Sequence, residues 1–291
     1  MSQRHIRPSA LASRWYPGNP DDLRTSVLAM IDGDGNLPVP KGHPVVAVVP
    51  HAGHTWSGTV AGRVYAHLKG TVYDRIVLLA PNHRLALNAV SAPIEDDYET
   101  PLGRVAIDQE GRAELLANGG VVSVPGAHAD EHAEEIQLPF FQVLWADVPP
   151  VLPLLVPCLS TNQRRILAKA LGRWCDGRTL VVVSTDFTHY GAAFGYVPFT
   201  DDIPTRLAKL DGGAIDHLLD WDAPGLLAYG RRTGITMCGL EAAVLAMSLP
   251  WPLRPSMSCL GYERSADRDG DFAMSVSYAA LLGVLPIEVS P

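Results

Sequence analysis

The chain has 291 residues, 47% apolar and 19% charged, the make-up of a globular protein large enough to bury about three quarters of its unfolded surface. Its formal net charge is −8 and it has no run of Lys and Arg, which argues against a nucleic-acid partner. Apolar runs such as residues 45–50 fall far short of the ~20 residues a membrane span needs, so no membrane association is expected. Four scattered cysteines (Cys158, Cys175, Cys238, Cys259) make no disulfide framework, and the N-terminus carries no apolar leader. A cytoplasmic chain with reduced thiols is expected, and nothing excludes a homo-oligomer.

In chain order, residues 45–49 (VVAVV) predict a strand, 59–68 a helix, 75–80 (RIVLLA) a strand and 134–144 a helix. Residues 151–156 (VLPLLV) and 179–184 (TLVVVS) predict two more strands, with a helix over 162–174 between them and helices over 202–219 and 239–247 after them. The strands are continuously apolar instead of alternating, the pattern of a parallel sheet covered on both faces. Residues 256–262 and 272–282 predict an antiparallel hairpin around the polar, solvated turn 263–271, which makes the sheet mixed. No linker or repeat divides the chain, so residues 1–291 read as one α/β domain.

Ligands of open α/β sheets collect at the carboxyl ends of the strands. Residues 45–49 are followed by Pro50-His51-Ala52-Gly53-His54, and residues 75–80 by Pro81-Asn82-His83. After 179–184 comes Thr185-Asp186-Phe187-Thr188-His189-Tyr190-Gly191. Three strand ends thus each deliver a histidine, and one also an aspartate. Neutral imidazoles joined by one anionic donor, with open positions, suit Fe(II) or Zn(II). The anionic donor is Asp186, Glu135, Glu241 or the thiolate of Cys238. Cys238 precedes Gly239 at a predicted helix start, where the dipole is expected to lower a thiol's pKa. His132 and Glu135 are three apart on one predicted helix face, so either Glu135 orients His132 in the pocket or the segment is an acidic first turn that suits the helix dipole, with His132 exposed. Arg14-Trp15-Tyr16-Pro17 reads as an arm packed on the sheet, with a pocket wall as the alternative.

Several motifs in order resemble the Memo family, which includes the AmmeMemoRadiSam system protein B. They are Arg14-Trp15-Tyr16-Pro17, Pro50-His51-Ala52-Gly53, Pro81-Asn82-His83, Thr100-Pro101-Leu102-Gly103, Asp130-Glu131-His132, Gln137-Leu138-Pro139, Ser184-Thr185-Asp186-Phe187, His189-Tyr190-Gly191 and Cys238-Gly239. That family is similar in fold to class III extradiol dioxygenases, which implies a three-layer α/β/α sandwich with a mixed, mostly parallel central sheet. The resemblance implies one divalent metal on His51, His83 and Cys238, with Glu241 a rival third ligand. Fe(II) is the expected ion, with copper or zinc as alternatives. It also implies an acid/base role for His189, with Asp186 and His132 facing the same cavity. His54 and Trp56 stand where the family has tyrosines, Ala80 and Ala133 replace a glycine and a serine, and Leu240-Glu241-Ala242 lacks a proline. These departures mark His54 and Trp56 as expected substrate contacts, and Tyr190 and Glu135 are expected to contact substrate beside them.

Two functions follow from the resemblance. One is an extradiol-type dioxygenase taking a small catecholic substrate and O2. The other is a non-catalytic or redox metal-binding protein, an adaptor for peptides or a radical-SAM partner. A zinc hydrolase fits less well, since no HExxH occurs.

Overall fold

The computed structural model describes residues 4–33, 41–118 and 120–286. Among them are the strands β1 (Ile6–Arg7), β2 (His43–Val49), β3 (Arg75–Ala80), β4 (Val90–Ser91), β5 (Asp97–Thr100), β6 (Gly103–Ala106), β7 (Val121–Val122), β8 (Val151–Leu155), β9 (Thr179–Ser184), β10 (His189–Gly191), β11 (Ser256–Arg264) and β12 (Met274–Leu285). The main sheet runs β10-β12-β2-β9-β3-β8-β4-β7, with β11 also paired to β12. Strands β2, β9, β3 and β8 are parallel, whereas β12 is antiparallel to β2, β10 and β11. A mixed sheet with a parallel centre is therefore what the sequence implied, and β1, β5 and β6 form a separate small sheet.

The parallel strands are continuously apolar because helices cover both faces. Ala47, Val49, Ile76, Leu78, Leu180 and Val182 join one core with Val60, Val64, Tyr65 and Phe140. Their neighbours Val46, Val48, Val77, Leu79, Val181 and Val183 join the other, with Leu167, Ala243 and Leu245. Each such side chain contributes about 1.5–3 kcal/mol of burial, so both faces must be covered together. The result is an α/β/α sandwich. No helix among the described residues is long and apolar enough to cross a membrane.

Some elements differ from expectation. The helix expected over 134–144 is two, His132–Glu135 and Leu138–Leu144. Pro139 at the start of the second lacks an N–H and its ring would clash with the preceding turn, so one continuous helix cannot form. The helix expected from residue 59 begins at His54, and helices Pro20–Asp32, Gln109–Ala117 and Ala223–Thr233 were not anticipated. The polar turn 263–271 is not simply solvated: it holds the short helix Ala266–Asp269, whose Arg268 bonds Thr59 and the carbonyl of Thr55.

The topology creates the site. The chain leaves β2, passes over to β3 and β8, then returns as β9 between β2 and β3. The carboxyl ends of β2, β9 and β3 are thus adjacent where the winding reverses, and loops leaving in different directions open a crevice there.

Candidate metal centre and cleft

His51 follows β2 and is 1% exposed. Its backbone N–H donates to Asp186 Oδ1 at 2.8 Å, which ties the end of β2 to the end of β9. Its Nδ1 lies 3.0 Å from Ser184 Oγ. That hydroxyl donates to the Ala133 carbonyl at 2.6 Å and accepts from Gln137 Nε2 at 2.9 Å. With its one proton committed, Ser184 can only accept from His51, so Nδ1 carries the hydrogen and Nε2 carries a lone pair. Nε2 faces Cys238 Sγ at 3.2 Å.

His83, after β3, is held likewise. Its backbone N–H donates to Glu131 Oε2 at 2.7 Å and its Nδ1 to Oε1 at 2.9 Å. A carboxylate accepts only, so His83 also presents an Nε2 lone pair. Cys238 reaches the site from the start of helix Leu240–Met247. Gly239 makes this approach feasible: a Cβ there would sit 2.4 Å from Thr185 Cβ, while its N–H donates to Thr185 Oγ1 at 2.9 Å. Donor atoms of His51, His83 and Cys238 all lie within 4.8 Å of one another.

The electrostatics favour neutral imidazoles. Burial, then the neighbouring His83, push His51 well below the usual histidine range. His132 is lowered to about 3 by burial and by His51 and His83. Cys238 runs against expectation. Burial, then Asp186, push its thiol up, and this outweighs any lowering by the helix start. Burial also raises the Asp186 carboxyl. Two oriented imidazoles and one thiol fit a divalent ion of borderline softness, the chemistry of zinc, copper or iron sites. Binding there would displace the thiol proton.

Above this cluster lies a cleft of about 460 Å³ lined by Arg14, Trp15, Trp56, His132, Asp186, His189, Phe194, Asp269, Met274 and Tyr278, among others. His132 and Asp186 join the two levels. The His132 ring stacks on His83 at 4.5 Å and meets His51 edge-on at 5.2 Å. Asp186 Oδ2 is 4.0 Å from His51 Nε2. His189 has its Nδ1 against the carbonyls of Phe187 (3.1 Å) and Thr236 (3.3 Å). Both are acceptors, so Nδ1 bears the hydrogen and Nε2 has no partner among the described residues.

The structure therefore brings together His51, His83, Cys238, Asp186, His132, His189 and Trp56, and it leaves out four residues expected here. Glu241 turns to Arg164 at 2.7 Å and to Cys158, because a buried guanidinium on helix Thr161–Leu171 claims its charge. Glu135 accepts from Arg7, Ser9, Tyr16 and the backbone N–H groups of Ala10 and Leu11, so it faces the N-terminal arm and not His132. His54 is 3% exposed between Tyr16 and Phe140, bonded to the Ile136 carbonyl and outside the cleft. Tyr190 is spent on the Phe199 carbonyl at 2.6 Å. Glu131 is the carboxylate that sequence reasoning missed. It stands at the N-cap of helix His132–Glu135, and that capping position and its place in the Asp130-Glu131-His132 motif were its legible signals. Burial works against its ionised form, but the hydrogen bonds from His83 hold it down at about 2. The arm residues Arg14 and Trp15, read as packing, are cleft wall.

The family model described as Memo-like protein matches residues 7–282. A MEMO1 family protein of Methanopyrus kandleri is 31% identical over 95% of this chain and 98% of its own length. One of Desulfurococcus amylolyticus is 30% identical over 94% and 98%, and one of Pyrococcus abyssi 35% identical over 80% and 84%.

Proposed function

The chain belongs to the Memo family, and from that premise we propose that it binds one divalent metal ion, Fe(II) the expected one, on His51, His83 and Cys238 and cleaves a small catecholic substrate in an extradiol-type reaction with O2. The observation that carries this reading is the convergence of two Nε2 lone pairs and a thiol under a cleft with aromatic walls. When bound, the metal supplies a Lewis acid that gathers substrate oxygens and O2.

The chain's own residues supply the rest. Trp15, Trp56, Phe194 and Tyr278 offer faces and edges for an aromatic ring and exclude water around it. His189 Nε2 takes a phenolic proton as substrate binds and returns it as the ring opens, while the Phe187 carbonyl keeps the ring oriented. His132 faces the same space with Nε2 uncommitted among the described residues, a second proton carrier or hydrogen-bond partner. Asp186 holds His51 in place through the backbone N–H at 2.8 Å.

The thiol favours a second reading, a redox or binding role, because sulfur is a soft ligand liable to oxidation beside activated oxygen. One assay separates the two. Protein purified anaerobically and loaded with Fe(II) is given caffeate, DOPA and protocatechuate, and oxygen uptake and the yellow ring-opened product are followed. Turnover of one of them, abolished in His189→Ala with metal retained, supports the dioxygenase. Bound metal without turnover of any of them favours the second reading. Metal content should be lost in Cys238→Ala and kept in Glu241→Ala; the reverse pattern overturns the ligand set.

A further inference from the structure

The cleft has a graded polarity. Its floor, with Asp186 at 3% exposure and the half-buried His132 and His189, carries the groups that handle protons. Its walls carry the aromatic side chains Trp15, Trp56, Phe194 and Tyr278, of which Trp56 and Phe194 are exposed. Its mouth carries two exposed charges of opposite sign, Arg14 and Asp269.

Both mouth charges are uncommitted. The Arg14 side chain makes no hydrogen bond or ion pair among the described residues. Asp269 is in no ion pair among them, and its Oδ1 accepts only the nearby Asp271 N–H at 2.9 Å. The neighbouring cations are taken. Arg264 is held by Asp267 and the Pro204 carbonyl, and Arg268 by Thr59, Glu263 and the Thr55 carbonyl.

The two charges also flank one helix start. The carbonyl of Trp15, next to Arg14, accepts the His54 N–H at 2.9 Å. Arg268, next to Asp269, bonds the carbonyl of Thr55. A single small molecule whose ring lies among the aromatic walls can therefore meet a cation and an anion together. Unpaired opposite charges over an aromatic slot match a ring bearing both a carboxylate and an ammonium.

We propose that the cleft recognises a phenolic aromatic α-amino acid, its hydroxylated ring toward His132 and His189, its carboxylate on Arg14 and its ammonium on Asp269. This names a substrate class for the small-molecule reading of the cleft and rests on that reading, but not on turnover.

Calorimetric titration with four matched phenols tests it. L-tyrosine carries both charges, tyramine lacks the carboxylate, 3-(4-hydroxyphenyl)propionate lacks the ammonium, and 4-ethylphenol lacks both. Tyrosine should bind tightest, with each missing charge weakening Kd about threefold to tenfold. In Arg14→Gln tyrosine should fall to the level of tyramine, and in Asp269→Asn to that of the propionate, each variant leaving the other preference intact. Equal binding of tyrosine and 4-ethylphenol overturns the proposal, as does a preference for one charge only, or preferences that both variants leave unchanged. Turnover of catechols with no binding of tyrosine also overturns it and leaves the dioxygenase standing. The expected binding pattern without turnover of any catechol keeps this proposal and sinks the dioxygenase.

Discussion

Glu131 and Glu135 stand one helical turn apart and neither exposes any surface, yet they belong to different regions of the molecule. Glu131 looks into the floor of the site, where it holds His83 by two hydrogen bonds and lies 3.2 Å from His132 Nδ1. Glu135 looks away and gathers five donors of the N-terminal arm, including Arg7 Nη1 at 2.6 Å. The first carboxylate sets which imidazole lone pair is available. The second fixes the arm that brings Arg14 and Trp15 to the cleft wall. Equal burial and equal charge therefore say little about role; the donors that meet each carboxylate decide it.

The comparison is easiest to break at the arm. Glu135→Ala strands the Arg7 guanidinium, itself 1% exposed, as an unpaired buried charge, and about 3–5 kcal/mol of stability should be lost. Chemical denaturation measures this; a loss below about 1 kcal/mol would mean that the arm is anchored elsewhere.

His54 packs on Tyr16 of the same arm, and burial lowers its pKa to about 4. Below the ordinary value of 6.5 the unfolded chain takes up a proton that the folded chain refuses. The stability from keeping His54 neutral is thus complete above pH 6.5 and lost as pH falls toward 4, by about 3 kcal/mol. His54→Phe should flatten that slope in denaturation curves taken from pH 7 to pH 4, whatever it does at neutral pH. An unchanged slope would assign the acid sensitivity to other groups.

The smallest effect is expected at the floor. Glu131→Gln keeps an oxygen for the backbone N–H but no longer enforces the Nδ1–H form of His83. Metal affinity should fall about 10- to 100-fold, roughly 1.4–2.7 kcal/mol, with ¹⁵N shifts reporting a mixed His83 tautomer. If Glu131→Gln destabilises the protein as much as Glu135→Ala should, while metal affinity per folded molecule is unchanged, the division between the two carboxylates fails.

The sequence by itself determined the layered α/β architecture, because continuous apolar runs are stable only with both faces covered. It also marked His51, His83, Asp186 and His189 as neighbours, since strand ends in a parallel sheet converge wherever the winding reverses. Cys238 was one of four candidate donors by position and was singled out mainly by the family motif, and the structure accounts for it by the close approach at Gly239. Tertiary structure alone decided the direction of side chains whose partners are distant in the chain. Glu241 was claimed by Arg164, Glu135 by Arg7, Tyr190 by the Phe199 carbonyl, and His54 by the Ile136 carbonyl and the Phe140 ring. A buried polar group must find its hydrogen-bond partner wherever the fold provides one. Local spacing can place such a group near a site, but the partner that satisfies it is chosen across the chain.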